Sequence, residues 1–247
     1  MLPREPWEAA VSIVPTGGSI AVARANHPGR FLSLVIDRNG TPVAFAKVAR
    51  DAAGAEALAR ERDALERWAP LLPPPLHAPS VLDYADGVLI LEPVLWRPRM
   101  DPWTVPIDVA YSLGAFFRMT ASGDDRASGV AHGDCAPWNL LHDDRGWALI
   151  DWENASEGMS PFYDLFHFLV QASAELRRPT KRAIVSAIQL KGPIGRLVEA
   201  YAEGSQCPPG EAQDWFVAYL RQSGKRIEPG APRRAARIRG ELHRMVA

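Results

Sequence analysis

The stretch His132-Gly133-Asp134-Cys135-Ala136-Pro137-Trp138-Asn139-Leu140-Leu141, followed by Ala148-Leu149-Ile150-Asp151-Trp152-Glu153, holds the densest chemistry in the chain. It places a carboxylate, an imidazole and an amide in one loop that opens onto an apolar pair. Asp151 then ends an apolar run 17 residues after Asp134. Burying a lone carboxylate costs several kcal/mol unless a cation or hydrogen-bond donors compensate. A divalent metal is one such cation, and Asn139 offers it a neutral hard oxygen. Taken singly, Asp134 and Asn139 also read as turn or helix caps and Asp151 as a strand end, because these residue types satisfy exposed backbone groups at such positions.

Working outward, the first ninety residues read as strands with one helix. Val11–Val14 and Ile20–Ala23 flank Thr16-Gly17-Gly18-Ser19, a glycine turn between apolar runs. Phe31–Ile36, a turn at Asn39-Gly40 and Val43–Val48 give a second hairpin, with Lys47 near the end of its second strand. Residues 52–68, rich in Ala, Leu, Glu and Arg, predict a helix that Pro70 and Pro73-Pro74-Pro75 stop. Val81–Tyr84 and Val88–Leu91 predict two more strands about Asp86-Gly87. The segment 92–106, with Pro93, Pro98, Pro102 and Pro106, is the expected lobe boundary. Beyond it the pattern is helical, over Val109–Met119, Phe162–Leu176 and three or four helices in Lys181–Val246, with one short strand at Trp147–Ile150. The expected class is α+β: a small, mainly β lobe with one helix at residues 1–93 and a larger, mainly α lobe at 94–247.

Composition narrows the function classes. With 247 residues, 47% hydrophobic and 23% charged, the chain is long enough for a sizeable core. A net charge of -1 gives no global basic field, so nucleic acid is not an expected partner. No run approaches the ~18 apolar residues of a membrane span, so no membrane partner is expected either. The two cysteines, Cys135 and Cys207, have no metal-ligand spacing and read as reduced thiols of a cytoplasmic protein. Lys47 is the only lysine before Lys181.

An Asp, an Asn five residues on and an Asp ending an apolar strand is the order in which kinase-fold enzymes place a hydroxyl-orienting acid and two magnesium ligands. On these residues the chain resembles the aminoglycoside phosphotransferase and choline kinase superfamily. His132, Gly133, Asp134 and Asn139 match its catalytic loop, Asp151 its metal-binding Asp, and Pro161-Phe162-Tyr163-Asp164-Leu165 the segment that braces that loop. The resemblance implies a bilobal protein-kinase-like fold and Mg2+-dependent transfer from ATP or GTP to a hydroxyl of a small molecule. It assigns Asp134 as the catalytic residue, Asn139 and Asp151 as metal ligands, and His132 to a structural role. It further assigns Lys47 to the nucleotide phosphates, with a helix Glu as partner: Glu61, or in competition Glu56. Gly17, Gly18 and Ser19 are the expected phosphate-facing turn. Glu92 and Val94 fall where adenine would meet the inter-lobe hinge, and Pro93 between them has no N–H to offer. Trp138 and Trp152 flank the loop, as pocket walls or as core.

Two rival readings remain. A non-catalytic nucleotide-binding module would be favoured by loss of a motif residue, and none is lost. A metal-dependent hydrolase would need a second ligand cluster, which the sequence does not supply. As to the acceptor, residues 174–247 hold 14 Lys+Arg against 7 Asp+Glu, a net of +7, and the preceding 173 residues hold 14 against 22, a net of -8. If the C-terminal helices line the acceptor pocket, with Arg177, Arg178, Arg233, Arg234 and Arg237 among them, a neutral or anionic sugar or metabolite suits it better than a polycationic aminoglycoside. If those arginines are a solvated face, the alternative of a true aminoglycoside phosphotransferase stands.

Overall fold

Alternation in the strands and the Ala/Leu-rich helix signal both become the elements expected over the first ninety residues. The computed structural model describes residues 14–24, 29–85, 87–122, 127–225 and 233–246. In it β1 (Ser19–Arg24), β2 (Arg30–Ile36), β3 (Pro42–Ala49), β5 (Val81–Ala85) and β6 (Val88–Leu91) form an antiparallel sheet in the order β1-β2-β3-β6-β5. Helix α1 (Ala52–Trp68) starts where the Asp51 carboxylate accepts the Gly54 N–H at 2.7 Å. Of the first expected hairpin, Val11–Ile13 lie outside the described residues, as does Asp86 of the later turn.

Two compact units emerge from the chain. The first gathers residues up to Pro70, Ala78–Arg97 and Ile150–Asn154. On one face of its sheet Val35, Ala44, Ala46, Val48, Val88 and Ile90 form the core. Because strand side chains alternate, Lys47 points to the opposite face, where α1 packs on β3. The 3-10 turn Trp152–Asn154 also packs on α1, with Trp152 wholly buried.

The second unit comprises Leu71–His77, Pro98–Leu149 and Ala155–Ala247. Its helices are α2 (Ile107–Thr120), α3 (Tyr163–Gln171), α4 (Lys181–Ile188), α5 (Gly192–Ser205), α6 (Ala212–Lys225) and α7 (Arg233–Val246). Helices α2 and α5 cross in near backbone contact. A Cβ on Gly114 would meet the Tyr201 carbonyl at 2.2 Å, and one on Gly204 the Tyr111 carbonyl at 2.1 Å, so larger residues would force the pair apart. Two small sheets complete the unit: β10 (Ser156–Met159) on β7 (Gly129–Ala131), and β4 (Leu76–His77), β9 (Gly146–Leu149) and β8 (Leu140–Asp143) in the order β4-β9-β8. Strands β4, β7, β8 and β10, of two to four residues, are too short to announce themselves by alternation.

The single helix expected over Phe162–Leu176 is divided. Phe162 stands at φ 63, outside helical space, and the chain after Gln171 continues as a π turn over Ala172–Leu176. All residues of α3 from Tyr163 to Val170 are buried, which makes it the central helix of the unit.

Candidate functional site

In the first unit, strand β3 and helix α1 bring Lys47 and Glu61 together. The Lys47 ammonium donates to Glu61 Oε1 at 2.6 Å and Oε2 at 2.8 Å, and to Asp151 Oδ1 at 2.7 Å. Glu56, the competing partner in the sequence, lies on the exposed face of α1. Glu61 is 0% exposed and Lys47 is buried with it, so the three-way contact is largely removed from water. Burial would lower the Lys47 pKa, yet two carboxylates facing one ammonium hold it above its ordinary value. Glu61 has one cation for its charge, and burial, seconded by the Asp151 carboxylate, pushes it up against the pull of Lys47. The group sets two carboxylates against one ammonium.

Asp151 adopts φ 68, a left-handed backbone that costs a non-glycine residue about 1–3 kcal/mol and is found where surrounding structure holds it for a purpose. Two residues on, Glu153 accepts from the Arg30 guanidinium at 2.5 Å. Burial pulls Arg30 down, but Glu153, with Asp151 and Glu61 behind it, leaves its pKa raised. Arg30, 6% exposed, ties the start of β2 to the turn that carries Asp151.

In the second unit, residues 132–139 link β7 to β8. The buried Asp164 of α3 accepts the His132 N–H at 2.8 Å and the Gly133 N–H at 3.0 Å, which fixes the loop from beneath. Burial pushes the Asp164 carboxyl up, and the electrostatic pull of the His132 ring and these two amides oppose it. His132 is fully buried and its Nδ1 accepts the Asp134 N–H at 3.3 Å, so its ring proton sits on Nε2 and its role is to shape the loop. Asn139 donates from its amide nitrogen to the Asp134 carbonyl at 2.9 Å and to Asp134 Oδ2 at 3.0 Å, which directs its amide oxygen the other way. The Cys135 thiol is buried and its pKa is pushed well up by that burial, leaving it unreactive. Trp138 is 46% exposed and Trp152 is core, so of the two only Trp138 is available to a ligand.

One contact in this loop was not anticipated. His167 Nε2 lies 3.0 Å from Asp134 Oδ1, and Gln171 Nε2 lies 3.1 Å from the same ring nitrogen. A carboxylate only accepts, so Nε2 carries the proton and the Gln171 amide serves it best with its oxygen turned inward. His167 is buried, stacked on Tyr163 and edge-on to Tyr219. Its signal was in the sequence: three residues after Asp164, it falls on the same helical face as the loop-bracing acid. The Arg30–Glu153 pair, 123 residues apart, gave no such signal.

The remaining expected residues are placed as follows. Gly17 turns at φ 78, and the Gly18 N–H closes onto the Pro15 carbonyl at 2.7 Å, so in this turn a phosphate would meet Gly17 or Ser19 rather than Gly18. A Cβ on Gly18 would lie 2.6 Å from the Ile36 carbonyl, which is why glycine stands there. The Glu92 N–H donates to the Ser80 carbonyl at 2.9 Å, and with Pro93 lacking an N–H the first candidate donor of this segment is Val94.

Taken each in its own unit, the Asp151 carboxylate and the Asn139 amide oxygen are hard oxygen donors of the kind magnesium takes, and that ion ordinarily completes its shell with phosphates and waters rather than with a protein cage. Among the described residues no cluster of three His, Cys, Asp or Glu side chains forms such a cage.

Residues 98–213 match the family model described as the phosphotransferase enzyme family. The whole chain is similar in structure to macrolide 2'-phosphotransferase MphH from Brachybacterium faecium, with 17% identity, a TM-score of 0.59, and 97% of this chain and 96% of that chain covered. It is likewise similar to aminoglycoside phosphotransferase APH(2'')-Ib in its ADP-bound form, with 10% identity, a TM-score of 0.57 and coverage of 98% and 97%. Amicoumacin kinase hAmiN in complex with AMP-PNP, Ca2+ and Ami aligns with 11% identity, a TM-score of 0.55 and coverage of 98% and 94%. At such identities the structures show the fold alone, which is that of kinase-like phosphotransferases, and the phosphotransferase family model speaks to residues 98–213.

Proposed function

We propose that this chain is a small-molecule kinase that transfers the γ-phosphoryl group of ATP or GTP, bound with Mg2+, to a hydroxyl of a neutral or anionic sugar or metabolite. The observation that carries this reading is the Lys47 ammonium bridging Glu61 and Asp151, three residues 14 and 104 positions apart in the chain. A buried ammonium held between two carboxylates is poised to meet phosphate oxygens, and Glu61 keeps it on station. The Gly17–Ser19 turn would approach the phosphates and the Val94 N–H the base.

In this reading the Asp134 carboxylate orients the acceptor hydroxyl. As the hydroxyl oxygen bonds to the γ-phosphorus and the bond to the β–γ bridging oxygen breaks, Asp134 takes the released proton. Asn139 and Asp151 would hold Mg2+, which supplies neutralisation of the phosphate charge. Catalysis is then positioning plus charge compensation. The free, buried thiols of Cys135 and Cys207 suit a reducing, cytoplasmic setting. The neutral or anionic acceptor is favoured by the C-terminal charge, a net of +7 over residues 174–247.

The test is ATP consumption by purified protein against a panel of hydroxyl compounds, with Asp134→Ala as control. Loss of turnover by a factor of about 10² or more with nucleotide binding retained is the expected result. Turnover unchanged in Asp134→Ala removes the assignment, and nucleotide binding without turnover on any acceptor favours a regulatory module.

A further inference from the structure

One cavity of the second unit has a chemistry that the proposed transfer does not use. It measures about 670 Å³ and lies among the Trp103–Val105 segment, Leu169 of α3, the Arg178–Thr180 segment and helices α4 and α5. That volume falls within the roughly 300–1,000 Å³ of small-molecule sites. Its walls are mostly apolar, with Trp103, Val105, Leu169, Ile194 and Leu197 prominent. Among the described residues that line it, the two charged ones are Arg178 and Lys191, both exposed, and none is Asp or Glu. The Arg178 guanidinium sits 5.9 Å from the Trp103 ring centroid, a cation–π contact that keeps it over the wall. Among the described residues neither cation is in an ion pair, whereas nearby Lys181 is committed to Glu241.

Helix geometry separates this cavity from the catalytic loop. Asp164 and His167, one turn apart, mark the face of α3 that holds the loop. Leu169 follows His167 by two residues, about 200° around a helix of 3.6 residues per turn, and so lies on the opposite face. The cavity is therefore on the far side of the central helix from Asp134, and an acceptor hydroxyl bound there would not reach it.

We propose that this cavity is a second binding site, for a small amphiphilic anion whose apolar body fills it and whose carboxylate, sulfonate or phosphate meets Arg178 and Lys191. Apolar walls give a sugar or nucleotide few partners, and two uncompensated cations reject polyamines. The proposal stands independently of the transfer reaction.

The test uses the intact chain and two fluorescent probes sharing one apolar body: the anion 8-anilinonaphthalene-1-sulfonate and its uncharged parent N-phenyl-1-naphthylamine. The sulfonate is expected to bind saturably, one per chain, and more tightly than the neutral parent. Arg178→Gln with Lys191→Gln, both at exposed positions, should weaken the sulfonate about tenfold or more and leave the neutral probe nearly unchanged. Ala183→Trp, which fills the cavity, should abolish binding of both, with the thermal transition reporting that the variant is folded. ATP–magnesium and Asp134→Ala should leave the affinities unchanged. Absence of saturable binding, or sulfonate affinity indifferent to both the charge removal and the cavity filling, overturns the proposal.

Discussion

Removing the Lys47 ammonium is the sharpest test of how the first unit is held together. Lys47→Met keeps the aliphatic stem but strips Glu61 of both its contacts, at 2.6 and 2.8 Å, and Asp151 of one at 2.7 Å. Asp151, with its side chain 31% exposed, can turn to water; Glu61, wholly buried, cannot. Stranding one buried charge costs about 3–5 kcal/mol, a large share of a typical 5–15 kcal/mol stability. At about 2–4 °C per kcal/mol for a chain of this size, the melting temperature at pH 7.5 should fall by roughly 6–20 °C. The loss should depend on pH with a definite sign. With Lys47 gone, burial and Asp151 leave the folded-state pKa of Glu61 above its unfolded value, so stability is full below the unfolded value and lost as pH rises through the folded one. The gap to wild type should therefore narrow as pH falls from 7.5 toward 5. In wild type Lys47 is itself raised above 10.5, so its contribution is undiminished at neutral pH and is lost only in strong alkali. Lys47→Met with Glu61→Leu removes both charges and should recover most of the lost stability. Thermal melts of the three proteins between pH 5 and 8 decide the matter. A single variant as stable as wild type at pH 7.5, or a gap that does not close in acid, would show that the pair is hydrated and that the burial argument is wrong.

Three further outcomes follow from the geometry. His167→Ala frees one oxygen of Asp134 and should lower kcat about tenfold or more while the KM for nucleotide holds, with partial rescue by His167→Gln; kcat unchanged at all pH values would reduce His167 to a core residue. Gly18→Val drives a side chain into the Ile36 and Pro15 carbonyls, at 2.6 and 3.0 Å for its first carbon alone, and should displace the turn, raising the nucleotide KM with a stability loss of about 1–3 kcal/mol measurable in denaturant. Aminoglycosides should be poor acceptors beside neutral sugars and anionic metabolites in a panel run at low and high salt, with the discrimination shrinking as salt screens it over ~8 Å at physiological ionic strength. Efficient phosphorylation of polycations would mean that the exposed Arg177 and Arg237 face solvent only and that nearby acids set the sign of the pocket.

The sequence by itself determined what rests on local pattern. Period-two alternation around Val43–Val48 placed Lys47 on a strand, Ala- and Leu-rich periodicity drew helix α1 to its observed ends, and the order Asp134, Asn139, Asp151 is what the proposed chemistry of the loop rests on. These are properties of residues close together in the chain, where backbone preferences and side-chain spacing act without help from elsewhere. Tertiary structure decided the rest. It chose Glu61 over Glu56, because only the face of α1 turned to β3 can meet Lys47. It set Ile150–Asn154 with the first unit and Leu71–His77 with the second, against their order in the chain. It joined Arg30 to Glu153 and His167 to Asp134, and it divided the two tryptophans, Trp152 into the core and Trp138 to the surface. Each of these outcomes joins or sorts segments that are not neighbours in the chain, 14 residues apart for Lys47 and Glu61 and 123 for Arg30 and Glu153, selected by how faces pack and by the demand that every buried charge find a partner, and no local pattern of residues encodes that selection.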